Sequence, residues 1–235
     1  RGCAVSADGR LLASAGADRT LAVWDAVSAE CLHRFQGHRD WVSACAFGPG
    51  DAVVASVSGD RTLRLWDLRT RARRIALVAH QRRINGCAIG SDGKYVLTAA
   101  DDGVVRRWPL DLDEALWEAW LATGRPLGAE EAEDRLKPLG IAAHAASVNQ
   151  VVFSPGAEFF VSCASDGSLK AWDTATGTLR CTFQGHLESV SGCAVSAASS
   201  AFSAVSTSPR ACSLASPCWY ASIAATNSPR ETCSM

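Results

Sequence analysis

No run of about 18 or more apolar residues occurs in the chain, so no segment reads as a membrane-spanning helix. Charge of one sign is also missing: the formal net charge is −1, which removes any chain-wide attraction to nucleic acid or anionic lipid. There is no G-x-x-x-x-G-K-[ST] phosphate loop, although glycine pairs are present. The ten cysteines include no C-x-x-C pair and no Cys/His cluster at zinc spacing, so neither a metal nor a cofactor is expected. Thiols without such patterns suit a reducing, cytoplasmic compartment.

What the sequence does have is a repeating frame. Trp24, Trp66, Trp108 and Trp172 each lie six residues after an aspartate: Asp18, Asp60, Asp102 and Asp166. Each aspartate lies four residues after a hydroxyl residue, namely Ser14, Ser56, Thr98 or Ser162. His38, His80 and His144 stand 22 residues before the last three aspartates. Trp24 to Trp66 and Trp66 to Trp108 are both 42 residues, as is His144 to His186. A repeat of about this length corresponds to one blade of a propeller. Trp108 to Trp172 is 64 residues, and the His-to-Trp distance stays at 28 in every unit. One insertion of 22 residues between Trp108 and His144 therefore accounts for the irregularity.

Within the second unit, residues 41–47, 52–57, 62–67 and 75–78 read as four short strands separated by turn residues. Along 62–67, Leu63, Leu65 and Asp67 alternate with Thr62, Arg64 and Trp66, so the two sets face opposite ways. Cys3, Cys45, Cys87 and Cys193 share one frame position with Val151, which marks a small buried apolar slot on a strand. Short strands at this spacing indicate an all-β domain over residues 1–196, with an insertion at 110–139 in the third unit. The insertion carries a capping box at Asp111 and Glu114, helical spacing of Leu112, Ala115, Leu116, Ala119 and Trp120, and a stop at Gly124. A second short helix is expected over 129–137, the two covering a propeller edge or meeting a partner.

The frame fails beyond Ala197. A hydroxyl residue, Asp and Trp are due at 204, 208 and 214, where Ala204, Ser208 and Leu214 stand. Gly192–Ala197 nevertheless repeats Gly2–Ala7 letter for letter. Residues 197–235 are Ser- and Ala-rich with one acid, Glu231, and are expected to lie outside the fold through a change of frame or exon near Ala198. Arg1 falls inside a repeating unit without a signal peptide, so a fragment of a longer protein is expected.

Gly37-His38, Ala79-His80, Ala143-His144 and Gly185-His186, followed by Trp24-Asp25, Trp66-Asp67, Trp108-Pro109 and Trp172-Asp173, closely resemble the WD-repeat (WD40) β-propeller family. Trp108-Pro109 departs from the pattern where the insertion begins. The resemblance covers residues 2–196 apart from the insertion and implies a WD40-type propeller, partial, with about four blades in an open arc. It further implies that His, Ser/Thr, Asp and Trp form a hydrogen-bonded tetrad in each blade. A Ser-His-Asp catalytic group is the rival reading, but a nucleophilic site is needed once, whereas this set recurs.

The family resemblance implies a non-catalytic platform for other proteins, or for other domains of the same parent chain. Carried over by position, its binding face comprises Arg39, Trp41, Gln81, Arg83, Ser147 and Ser189 after the unit histidines. Ala17, Gly59, Asp101 and Ser165, each before its turn aspartate, complete it. Trp41 is either a recognition hot spot or a core residue opening a strand. Arg69, Arg71, Arg73, Arg74, Arg82, Arg83, Arg106 and Arg107 are solvated strand ends or a patch for an acidic or phosphate-bearing partner. Nucleic acid is disfavoured because no aromatic platform interleaves with them. Open propeller flanks would favour self-association. The alternative function is a sensor segment of a larger nucleotide-binding switch ATPase or kinase, which would carry a P-loop or kinase signature upstream of Arg1.

Overall fold

Each unit folds as a four-stranded antiparallel sheet, because its alternating runs are too short to do anything but turn and pair. The computed structural model describes residues 1–110 and 138–196. Blade 1 comprises β1 (Gly2–Val5), β2 (Leu11–Ala15), β3 (Leu21–Asp25) and β4 (Cys31–Phe35). Blade 2 comprises β5 (Val42–Phe47), β6 (Val53–Ser58), β7 (Thr62–Asp67) and β8 (Arg73–Val78). Blade 3 comprises β9 (Ile84–Ile89), β10 (Tyr95–Ala100), β11 (Val104–Pro109) and β12 (Leu139–Ala142). Blade 4 comprises β13 (Val148–Phe153), β14 (Phe159–Ala164), β15 (Ser168–Asp173) and β16 (Leu179–Gln184). Neighbours in each sheet are neighbours in sequence. The first strands pack in succession, β1 on β5, β5 on β9 and β9 on β13, in an arc that stays open.

The apolar cores lie between blades rather than inside them. Leu63 and Leu65 of β7 pack with Ile84, Cys87, Val96 and Trp108 of blade 3. Trp66, from the opposite face of the same strand, packs with Leu21, Val23 and Phe35 of blade 1. The alternation read in the sequence is therefore real, yet residues 63–67 are all buried, because a blade on either side covers both faces. Trp172 likewise faces blade 3, with Leu97, Val105 and Ile141. Trp24 is only half-buried, with the Arg34 guanidinium 5.6 Å from its ring centroid.

Adjacent first strands approach so closely that side-chain size is limited at one position. A Cβ on Gly86 would lie 3.2 Å from the Gln150 Cα, and one on Gly2 would lie 3.0 Å from the Ala44 Cα. The next residue is the cysteine slot. Cys45, Cys87, Val151 and Cys193 are buried there, but Cys3 is exposed, a correction to the sequence expectation. Its strand β1 has a blade against one face only among the described residues.

Two boundaries also shift. Leu110 is buried and its amide donates to the Lys94 carbonyl at 2.7 Å, while Leu139 opens β12. Both belong to blade 3 rather than to the insertion assigned to 110–139. The helices expected over 111–124 and 129–137, and the tail 197–235, lie outside the described residues. Residues 190–196 follow blade 4 without strand pairing: Val190 and Cys193 join its core, and the Cys193 amide donates to Gln150 Oε1 at 2.9 Å.

Trp66 touches blade 1 with its ring, 4.9 Å from Phe35 between centroids, and belongs to the polar chain of blade 2 through its N–H. Trp66→Ala should therefore destabilise the protein by about 3–5 kcal/mol. Chemical denaturation measures this, and a loss below about 1 kcal/mol would show that the ring is no anchor.

Candidate functional site

In blade 2 the Trp66 Nε1–H donates to Ser56 Oγ at 2.8 Å. Ser56 Oγ lies 2.8 Å from His38 Nε2, and His38 Nδ1 lies 3.0 Å from Asp60 Oδ2. An indole can only donate and a carboxylate can only accept, so the Ser56 oxygen accepts from Trp66, and in the Nδ1–H tautomer His38 donates to Asp60 and accepts the Ser56 proton at Nε2. Asp60 also accepts from the Arg39 amide at 2.8 Å and from the Thr62 hydroxyl at 2.6 Å.

The same chain forms in two further blades. Trp108 Nε1 donates to Thr98 Oγ1 at 3.0 Å, which lies 2.7 Å from His80 Nε2, and His80 Nδ1 lies 2.9 Å from Asp102 Oδ2. In blade 4 the corresponding distances through Trp172, Ser162, His144 and Asp166 are 2.9, 2.8 and 3.0 Å. Blade 1 holds the Trp24–Ser14 bond at 2.8 Å, but it has no histidine at the tetrad position. Its Asp18 instead accepts from Thr20 and faces Arg34 at 3.7 Å. The proton order resembles that of a serine nucleophile and its base. The hydroxyl residues, however, are 0% exposed in blades 2 to 4, which leaves no path for a substrate carbonyl. Among the described residues no group of three or more potential metal ligands assembles.

These loops converge at one end of the blades. The Gly59 amide donates to the Trp41 carbonyl at 3.1 Å, Asp101 N to Arg83 O at 2.9 Å, and Ser165 N to Ser147 O at 2.9 Å. Arg39, Gln81, Ala17, Ser165 and Ser189 are exposed. Trp41 is half-buried above Gly59, where an added Cβ would meet its Cε2 at 3.3 Å. The guanidinium carbons of Arg1 and Arg83 lie 4.7 and 5.7 Å from its ring centroid. Arg83 also pairs with Asp101 at 3.0 Å. Ser147 is drawn inward, donating to Asp101 at 2.6 Å, and Ser189 bonds Ser165 at 3.1 Å. The nominated face thus divides into an aromatic and cationic part on blades 2 and 3 and a serine-lined part beyond.

Two sets of supporting residues escaped the sequence reading. Asn85 bridges blades 3 and 4, donating to Asp101 at 2.7 Å and to Ser147 and the Val148 carbonyl at 3.0 Å. Asn149 repeats the bridge one unit on, to Ser165, Ser189 and the Val190 carbonyl. A recurring Asn five residues after the unit histidine was the available signal. The second set is the cation two residues before the frame Trp in blades 2 to 4, namely Arg64, Arg106 and Lys170. Arg106 Nη1 donates to Ala79 O at 2.6 Å, and Lys170 Nζ to Ala143 O at 2.7 Å. Arg107 donates to the carbonyls of Thr174 and Ala175, and Arg74 and Arg180 pair with Asp67 and Asp173. Part of the arginine cluster is therefore internal fastening.

Titration follows from the same geometry. Burial lowers the affinity of His80 and His144 for a second proton below the ordinary imidazole value of 6.5, and their aspartates recover only part of it. Burial alone would raise Asp60, but bonds from His38, Thr62 and the Arg39 amide outweigh it and hold the carboxyl well below its usual range. Asp166 is lowered in the same way by Ser168 and His144. The unfolded chain binds protons more tightly at all four groups, so stability rises with pH. It should fall first as pH drops through the free-imidazole range near 6.5, and again below the free-carboxyl value of 3.8. Urea midpoints measured from about pH 7.5 to about pH 5 should decline, and a flat profile would contradict neutral buried imidazoles.

Comparison with known proteins agrees with this geometry. The profile of the family described as "WD domain, G-beta repeat" matches residues 1–25, 29–67, 72–109 and 136–173. Its second match begins with β4 of blade 1 and continues through three strands of blade 2, and the third and fourth matches likewise tie one blade to the next. A U3 snoRNP-associated protein-like YAOH of Oryza sativa subsp. japonica is 54% identical over 46 residues, 20% of this chain and 9% of that protein. Telomerase protein component 1 of Rattus norvegicus is 45% identical over 49 residues, 19% of this chain and 2% of its own. Topless-related protein 1 of Arabidopsis thaliana is 45% identical over 56 residues, 23% of this chain and 5% of its own. The chain thus spans under a tenth of each of these relatives. Four profile matches, each ending at or just beyond a tryptophan bonded to a hydroxyl, make this chain a member of the WD40 repeat family.

Proposed function

We propose that the chain is a non-catalytic protein-interaction platform that works through the loop end of blades 2 and 3. One observation carries the proposal. The histidine and hydroxyl side chains of each complete unit are buried and bonded to one another, with the turn aspartate closing the chain, whereas Trp41, Gln81, Arg39 and Arg83 lie in the same loops and remain accessible at least in part. An aromatic ring held between cations, on rigid strands, is an anchor of the kind that dominates binding energy. The partners are other proteins or other parts of the parent chain. Two of the relatives are named for an association with a ribonucleoprotein and for telomerase; the property carried over to this chain is membership of an assembly. The described cysteines that are free thiols favour a reducing, cytoplasmic setting.

A photo-crosslinking amino acid placed at Gln81 should capture a discrete partner in cells, and the same group at Arg69, between β7 and β8 at the opposite end, should not. Equal capture at both positions would remove the loop end as the working surface. No turnover is expected with ester, peptide or phosphate substrates. Activity that His80→Ala abolishes, while circular dichroism shows the sheet intact, would overturn the non-catalytic reading.

The open flanks carry exposed apolar side chains, with Val5 61% and Leu179 43% exposed. The isolated chain should therefore self-associate, as unpaired sheet flanks do. Sedimentation of residues 1–196 that gives a compact monomer with one cooperative melting transition would show that four blades suffice.

A further inference from the structure

The charges at the loop end of blades 2 and 3 do not balance locally. Four carboxylates reach this end, and each is already engaged. Asp60 and Asp102 are held by His38 and His80. Asp101 takes Arg83, Asn85 and Ser147, and Asp40 accepts the Trp41 amide at 2.8 Å. Arg39, Arg61 and Arg82 are exposed and enter no ion pair among the described residues.

These three arginines belong to one surface. The Arg39 amide donates to the Asp60 carboxylate at 2.8 Å, which places its loop on the turn that carries Arg61. The Arg61 carbonyl accepts the Ala79 amide at 2.9 Å, which places that turn against the loop carrying Arg82. Trp41 stands beside them with Arg83 already 5.7 Å from its ring centroid. From this juxtaposition we infer that the loop end of blades 2 and 3 docks an acidic polypeptide segment, whose carboxylates pair with Arg39, Arg61 and Arg82 while an apolar side chain packs on Trp41. The inference rests on the interaction-platform reading and names its partner chemistry.

A polypeptide suits this surface better than a nucleic acid does. Single-stranded binding needs successive aromatic faces on which bases stack. Trp41 is the one tryptophan, tyrosine or phenylalanine in residues 36–41, 59–61, 79–83 and 101–103, so these loops offer one aromatic face and no succession of them. A carboxylate, by contrast, needs only the guanidinium forks that are free.

The test is fluorescence anisotropy of the full chain with a labelled glutamate-rich peptide, a lysine-rich peptide and a single-stranded RNA. The glutamate-rich peptide should bind and weaken with salt, and the lysine-rich peptide should not bind. Arg39→Glu, Arg61→Glu and Arg82→Glu combined should lower peptide affinity at least about tenfold. Arg69→Glu with Arg71→Glu, at the opposite end, should leave it within about twofold. Matched thermal unfolding of both variants shows that neither loss is a loss of fold. Failure of the glutamate-rich peptide to bind, or an equal loss in the opposite-end variant, overturns the inference. RNA that binds in preference to the peptide, and is lost in the triple variant, assigns the surface to nucleic acid instead. If the peptide fails while Gln81 still captures a partner, the acidic specificity falls and the platform stands; if both fail, both fall.

Discussion

An indole N–H can donate a hydrogen bond and cannot accept one, and the rest of the blade depends on that asymmetry. With a carboxylate that only accepts at the other end, it sets the order of donors from Trp66 through Ser56 and His38 to Asp60. Each link contributes about 1 kcal/mol net, while a buried partner left without one costs about 1–3 kcal/mol. The chain therefore holds together more by the penalty for breaking it than by the gain in forming it. Because the same indole ring packs on Phe35 of the preceding blade, the polar chain inside one blade and the apolar seam between two are fastened by one side chain.

Repetition then separates architecture from function. The chain of four groups engages, three times over, the side chains that acid–base or nucleophilic chemistry would use, with the hydroxyl of each closed to solvent. What varies within the constant frame is left at the surface. Three residues after the unit histidine stand Trp41, Arg83, Ser147 and Ser189. The first two form a cationic aromatic cluster, and the last two are tied into Asn-centred bridges. Where the frame position is the same and the chemistry differs, the scaffold supplies position and the side chain supplies recognition.

Much of this was legible in the sequence because the frame is local. The spacing of Asp and Trp placed β7 at Thr62–Asp67 to the residue, since turn and strand lie within ten positions of each other. Blade-to-blade relations were not legible in the same way. Cys3 and Cys45 occupy the same slot, yet one is exposed and the other buried, because burial there is decided by the neighbouring blade. Asn85 reaches Ser147 across 62 positions, a distance no local pattern encodes. The insertion boundary failed at Leu110 and Leu139 for a related reason. The repeat length counts inserted residues correctly, but where pairing resumes depends on the partner strand: β12 pairs with β11 from Leu139 onward.

Small departures from the frame also have a physical effect. In blades 3 and 4 the residue before the histidine is alanine, and its carbonyl accepts from Arg106 or Lys170. In blade 2 that residue is Gly37, which takes a φ of 141°. Arg64 occupies the same position as Arg106, but its Nη1 is buried without a hydrogen-bond partner, and an added Cβ on Gly37 would lie 2.4 Å from it. An unpaired buried donor lowers local stability, and local opening concentrates where stability is least. Blade 2 therefore leaves a buried guanidinium nitrogen without a hydrogen bond beside the loop that presents Arg39 and Trp41.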